Sequence, residues 1–312
     1  MSNKSSYENI NYRIRPAKSI ERKMLCDAFR RLNEFALIES YRYVGFGSTF
    51  FSDFILFHKT LGISKMVSIE QDESNKERFE LNLPFKCIEW VPGVSNEVIP
   101  KLDWDHKTIV WLDYDDSLDQ DKLLDVKYLI GSMVSGSMLI LSCNVHYPLG
   151  TRVERMKDAL HDKMPDYLKE EDLEGWGVAK ETRKIILSQI EETLMERNGI
   201  RPRGNKFKFQ QLFNFNYKDN AKMLTIGGLL YEEAEEGKYL KCTFENLSFV
   251  KTSEERYLID VPSLTYKEIR LLDTQLPSED FSSLTLPGVK KRDIEKYAGY
   301  YRYFPNFAET EI

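Results

Sequence analysis

Between residues 41 and 145, short apolar runs alternate with segments of helical spacing, five times over. Runs at 41–45, 65–70, 85–91, 108–113 and 137–143 read as strands, and 50–61, 72–81, 96–102 and 121–133 as the helices between them. A strand–helix alternation of this length leaves few folds open. Successive strands lie parallel in one sheet, and the helices cover both of its faces. The runs at 110–112 and 138–141 are apolar at every position, as strands covered on both sides require.

Outside this stretch the rhythm changes. Residues 12–32 carry Arg13, Arg15, Lys18, Arg22, Lys23, Arg30 and Arg31 against only Glu21 and Asp27. Pro16 suits a helix start, and a helix is expected over 17–39. Residues 151–199 read as a charged helical insertion, too regular for a disordered loop. Strand character returns at 209–217, 223–231 and 239–250, with turn residues between the runs. Helices are expected near 265–274 and 291–297, before an aromatic end at 300–305. The expected division is a basic N-terminal helix packed on the core (1–40), an α/β core (41–150), a helical insertion able to reach over a site (151–205), antiparallel strands completing the sheet (206–262) and a C-terminal helical and aromatic extension (263–312).

Composition narrows the function. With 312 residues, 42% of them hydrophobic, the chain can bury a core without metal or disulfide staples. A net charge of −6 argues against sequence-blind coating of nucleic acid. Cys26, Cys87, Cys143 and Cys242 are widely spaced, which suggests neither a zinc ribbon nor a disulfide framework and points to a reducing cytoplasm. The first residues lack an apolar leader, and no apolar run is long enough to span a bilayer. No two histidines have metal-ligand spacing, so no metal is expected.

In an open α/β sheet, ligands bind beyond the carboxyl ends of the strands. Gly45-Phe46-Gly47-Ser48 follows the first strand, where two glycines permit a tight bend and close backbone approach. Glu70, with Gln71 beside it, ends the second strand, where a carboxylate can take both hydroxyls of a ribose. Ser95 and Asn96 follow the third and offer polar groups to a base edge. Asp113-Tyr114-Asp115-Asp116 follows the fourth, and His146 the fifth.

This order resembles the class I S-adenosylmethionine-dependent methyltransferase superfamily over about residues 41–145, with an echo in the strands at 209–250. The resemblance implies a seven-stranded, mostly parallel Rossmann-like sheet carrying a helical insertion and an antiparallel C-terminal hairpin. It implies S-adenosylmethionine as cofactor, with Gly45, Gly47 and Ser48 at its amino-acid part, Glu70 and Gln71 at the ribose, and Ser95 or Asn96 at the adenine. Asp113 and Tyr114 would face the reacting methyl group. The sequence departs from the family's usual pattern at Tyr43, Thr49 and Ser95, where an acid, a third glycine and an aspartate are common. The Asp-Pro-Pro-aromatic type of tetrad used on bases and Gln side chains is absent.

Each element also has a plainer reading. The acids at 113–116 could cap the following helix. Otherwise Asp113, Asp115 and His146, in that order, are candidate bases for an oxygen or nitrogen acceptor. His58 reads as a core or surface residue. Arg13 and Arg15 precede their helix and could hold an anion, while the basic run behind them could be a solvated face. Arg201, Arg203, Lys206 and Lys208, interleaved with Phe207 and Phe209, could meet a single strand of nucleic acid or form an edge loop. Two further functions stay open: a nicotinamide-dependent oxidoreductase, against which Phe50 stands where the third glycine of its fingerprint would be, and a non-catalytic scaffold binding a protein partner through the insertion and the aromatic tail.

Overall fold

A computed structural model describes residues 15–305. Its centre is an eight-stranded sheet in the order β3-β2-β1-β4-β5-β7-β6-β8. The strands are β1 (Arg42–Gly45), β2 (Lys65–Glu70), β3 (Ile88–Pro92), β4 (Thr108–Asp113), β5 (Ser137–Asn144), β6 (Phe207–Lys218), β7 (Lys222–Glu232) and β8 (Tyr257–Ile259). The first five are mutually parallel, and β7 runs antiparallel to both β5 and β6. The eighth strand is a correction to the expected seven. Three residues of β8 pair parallel to β6, Phe215 opposite Tyr257.

Alternation along the strands sorts side chains to two cores. Tyr43, Ile109, Trp111, Met138 and Ile140 face α1 (Pro16–Arg30) and α2 (Ser52–Leu61), meeting Ile20, Met24, Phe54 and Phe57. Val44, Val110, Leu112, Leu139 and Leu141 face α5 (Gln120–Ser132) and α7 (Gly177–Asn198). The shorter helices α3 (Lys76–Asn82) and α4 (Ser95–Val98) follow β2 and β3. Strand order reverses between β1 and β4, which opens the crevice at their carboxyl ends.

Several expected elements differ. The helix expected over 17–39 stops at Arg30 and continues as 3-10 turns. Asn33 Oδ1 accepts the Ile38 N–H at 2.8 Å, a side-chain bond that replaces a helical one. The strand expected at 239–250 is instead a short helix, α8 (Glu236–Lys241), followed by a 3-10 turn at Phe244–Asn246. Its apolar residues pack as a layer, with Tyr239 stacked on Tyr231 at 5.1 Å, and β8 takes the sheet edge. In 151–205, α6 (Arg152–Leu160) and α7 are docked on the sheet. Met156, Leu160, Ile185, Ile186 and Ile190 are buried in the same core as Val110 and Leu139.

At the C-terminal end, α9 (Tyr266–Asp273) and α10 (Lys291–Tyr300) share a small core of Ile269, Leu272, Leu284, Ile294 and Tyr297. The aromatic end clasps α1. The Tyr303 hydroxyl donates to Asp27 at 2.8 Å, and Lys23 Nζ donates to the Phe304 carbonyl at 3.2 Å.

Candidate functional site

The glycine turn is built to fold over the protein's own side chains. A Cβ on Gly47 would lie 2.4 Å from the Phe51 ring, and one on Gly45 would lie 2.7 Å from the Tyr43 hydroxyl. Ser48 and Phe51 both take φ of 47°, so the chain turns sharply before entering α2. Below the turn, Gly47 N–H donates to Ser68 Oγ at 3.0 Å. Ser48 N–H and the Ser68 hydroxyl both donate to Glu70 Oε1, at 2.7 and 3.0 Å. Glu70 is thus a brace that ties β2 to the turn. Burial pushes its carboxyl up to about 7, against the opposing pull of these hydrogen bonds. Gln71 is exposed beside it.

After β3 and β4 the chain gathers a second polar group. The Ser95 and Tyr114 hydroxyls both donate to Asp125 Oδ2, and burial raises the Asp125 carboxyl. Tyr114 also meets Phe46 of the glycine turn edge to face, with centroids 5.1 Å apart. So Tyr114 bridges the loops after β1, β3 and β4. Asn96 Oδ1 is buried and has no hydrogen-bond partner. Asp125 was not foreseen. It lies on α5, away from any strand end, and only the packing of α5 brings it here.

The third group lies at the end of β4. Lys18 Nζ, from α1, donates to Asp113 Oδ1 at 2.6 Å, to Tyr217 Oη at 3.1 Å and to Ser142 Oγ at 3.4 Å, and lies 4.2 Å over the Trp111 ring. Lys18 and Glu21 are fully buried, 2.8 Å apart, as an ion pair without directed hydrogen-bond geometry. Burial opposes the charge on Asp113, and Lys18 and Arg15 outweigh it, holding its carboxyl below the usual range. Such a carboxylate is a weak proton acceptor and a good fixed negative charge. Asp219, in the β6–β7 turn, accepts the Ala17 and Lys18 N–H groups at 3.0 and 3.2 Å, and pairs with Arg15 at 3.7 Å. The basic run is therefore no solvated face where it meets the sheet.

The remaining expected residues are spread out. Asp115 is half-buried near Arg15. His146 is exposed on the loop after β5, and Arg13 lies outside the described residues. His58 sits in α2 with Nδ1 2.8 Å from the Ile63 carbonyl. In the basic spacer, Arg201 pairs with Glu232 at 3.3 Å and Lys208 with Glu236 at 3.4 Å. Arg197 and Arg201 lie over the Phe207 ring, 3.5 and 4.7 Å from its centroid. Those cations are occupied by neighbours along the β6–β7 edge. Among the described residues there is no group of His, Cys, Asp or Glu able to hold a metal ion, and no helix long and apolar enough to cross a membrane.

Comparison with known proteins places the chain in a family. A family profile described as "Putative O-methyltransferase" matches residues 10–312. No curated protein matches. Among solved structures, the chain is similar to cofactor-bound Rv0187 from MTB, with 14% identity, 70% of this chain and 80% of that one covered, and a TM-score of 0.36. An rRNA methylase from Streptococcus thermophilus matches with 8% identity, 65% and 93% coverage and a TM-score of 0.35. A LepI variant in complex with SAH and a substrate analogue matches with 13% identity and a TM-score of 0.33; 61% of this chain is covered, against 43% of the LepI chain.

Proposed function

The chain belongs to the O-methyltransferase family whose profile spans residues 10–312, and from that premise we propose that it transfers the methyl group of S-adenosylmethionine to an oxygen of its acceptor, at the crevice between β1 and β4. The observation that carries this reading is convergence. Ser48 N–H joins the turn after β1 to Glu70 at the end of β2, Phe46 of that turn packs on Tyr114 after β4, and Tyr114 shares Asp125 with Ser95 after β3, so the loops after four strands are linked beside the reversal of strand order. Family membership sets the nicotinamide reading aside.

The residues fit the cofactor at one well-defined point. The buried Asn96 Oδ1 lacks a donor, and it stands after β3, where the amino group of an adenine would supply one. Glu70 would take the ribose, and the Gly45–Ser48 turn the amino-acid part. When bound, the cofactor supplies an electrophilic methyl group on a sulfonium. The protein's task is then to align an acceptor and to manage one proton. Phe46 and Tyr114 form an aromatic wall to orient a flat group. Asp113, held ionised by Lys18, fixes a negative charge at the end of β4. Asp115, near Arg15, and His146, exposed on the loop after β5, are the candidate acceptors of the hydroxyl proton.

Calorimetry with S-adenosylmethionine and S-adenosylhomocysteine tests the reading, with NAD as control. Binding of both sulfur nucleosides, and not NAD, is expected. Glu70→Ala should weaken it roughly tenfold or more, since it removes the carboxyl's hydrogen bonds and loosens the turn. Equal affinity of wild type and variant would remove the ribose role. Absence of heat and of any melting shift would leave a scaffold on a transferase fold.

A further inference from the structure

Arg15, Lys18 and Arg22 stand at spacings of three and four along α1, so they form a row on one face. That face is turned to the sheet, and none of the three is more than 8% exposed. Arg15 is paired with Asp219 and Lys18 with Asp113 and Glu21. Arg22 differs from both. Its Nε is buried without any hydrogen-bond partner, and no ion pair of Arg22 exists among the described residues.

Its place is defined by the groups that feel its charge. These are Asp53 at the start of α2, Tyr43 beneath Gly45, and Asp113 at the end of β4. Arg22 therefore lies within electrostatic reach of the groups under the glycine turn and at the end of β4. None of these neighbours discharges it. Asp53 takes the Tyr43 hydroxyl, and burial pushes its carboxyl toward the neutral form. Asp113 is already taken by Lys18. A guanidinium left this way in a dry place is a standing cost, relieved when an anion arrives with in-plane oxygens.

We infer that Arg22 is a carboxylate-binding group of the crevice, its guanidinium meeting an acidic ligand group that enters beside the glycine turn. The inference rests on the transferase reading above. Two ligands could bring the carboxylate: the amino-acid end of the methyl donor, or an acidic acceptor.

Calorimetry separates them with three probes. S-Adenosylhomocysteine carries the amino-acid end. 5′-Methylthioadenosine is the same nucleoside without it. Benzoate, added to protein saturated with S-adenosylhomocysteine, stands for an acidic acceptor. If the donor is the source, Arg22→Gln weakens S-adenosylhomocysteine roughly tenfold or more and leaves 5′-methylthioadenosine unchanged. If the acceptor is the source, the variant keeps both nucleosides and loses the benzoate binding of the wild type. Equal binding of all three probes by wild type and variant overturns the inference. So does a parallel loss of both nucleosides, because Arg22 then shapes the pocket instead of meeting a carboxylate. Should Arg22→Gln fail to fold, Arg22→Lys keeps the charge, removes Nε and is read by the same comparison. Wild-type protein that binds neither nucleoside overturns the transferase reading and this inference with it.

Discussion

Glu70 shows what one residue's position reveals and what it hides. Its place at the end of the second strand follows from the hydrophobic pattern alone, because Lys65–Glu70 is bounded as that pattern requires. Its role as a brace does not, because Ser48 N–H and Ser68 Oγ are brought to it by the turn. The brace has a pH signature. Folded Glu70 keeps its proton to about pH 7, while the unfolded side chain releases it near 4.5. Between those values the folded state binds more protons, so stability falls as pH rises, by about 3 kcal/mol across the window, and levels off above it. Urea unfolding at pH 5 and pH 7.5 should show this loss in wild type and a smaller one in Glu70→Gln. Identical pH dependence of the two proteins would contradict the buried carboxyl. Lys18, Arg22 and Asp125 were not legible in the same way. In a sequence, a lysine on a basic helix reads as solvated, and only the docking of α1 on Trp111 and Tyr217 buries it.

At the scale of elements, strands were more legible than helix ends. Strands 65–70 and 108–113 appear with their expected limits, since a short run buried on both faces and flanked by turn residues marks both ends. The helix ends depended on bonds outside the helices. Asn33 turns the chain after α1, and at the other end Asp219 supplies the carboxylate that α1 lacks, for its own N-cap Arg15 makes no side-chain cap. That latch crosses two hundred residues of chain and so leaves no local signal. Asp219→Ala should cost about 1–2 kcal/mol, the usual value of a lost N-terminal cap. Amide exchange at Ala17 and Lys18 should quicken more than exchange in α5. Uniform quickening in both helices would show that the latch is not local to α1. The run at 239–250 misled for a related reason. Aromatic and β-branched residues suit a strand, but they also suit a helical turn stacked on Tyr231.

For the whole molecule, the sheet order decides where chemistry can occur. The β5–β7–β6 arrangement requires β7 to pass very close to its neighbours, and two glycines allow it. A Cβ on Gly228 would lie 2.1 Å from the Gln210 carbonyl oxygen, and one on Gly227 would lie 2.8 Å from that of Leu139. A bulge between Gln211 and Phe213 accompanies this approach. Gly228→Val should therefore cost more than about 4 kcal/mol, by clash with backbone that has no room to yield. Circular dichroism and gel filtration should find little folded protein. A variant that melts within a few degrees of wild type would mean that β6 and β7 can separate locally.

Sequence alone determined the α/β class, the succession of strands and the glycine, acidic and polar groups at their carboxyl ends, because hydrophobic periodicity and turn residues are local properties. Tertiary structure alone decided that the basic helix lies against the sheet, that Lys18 pairs with Asp113, that Asp125 gathers Ser95 and Tyr114, and that the buried Arg22 Nε is left without an acceptor. Those facts depend on which charges share a water-poor space, and residues far apart in the chain are brought into that space only when the sheet and its helices close around it.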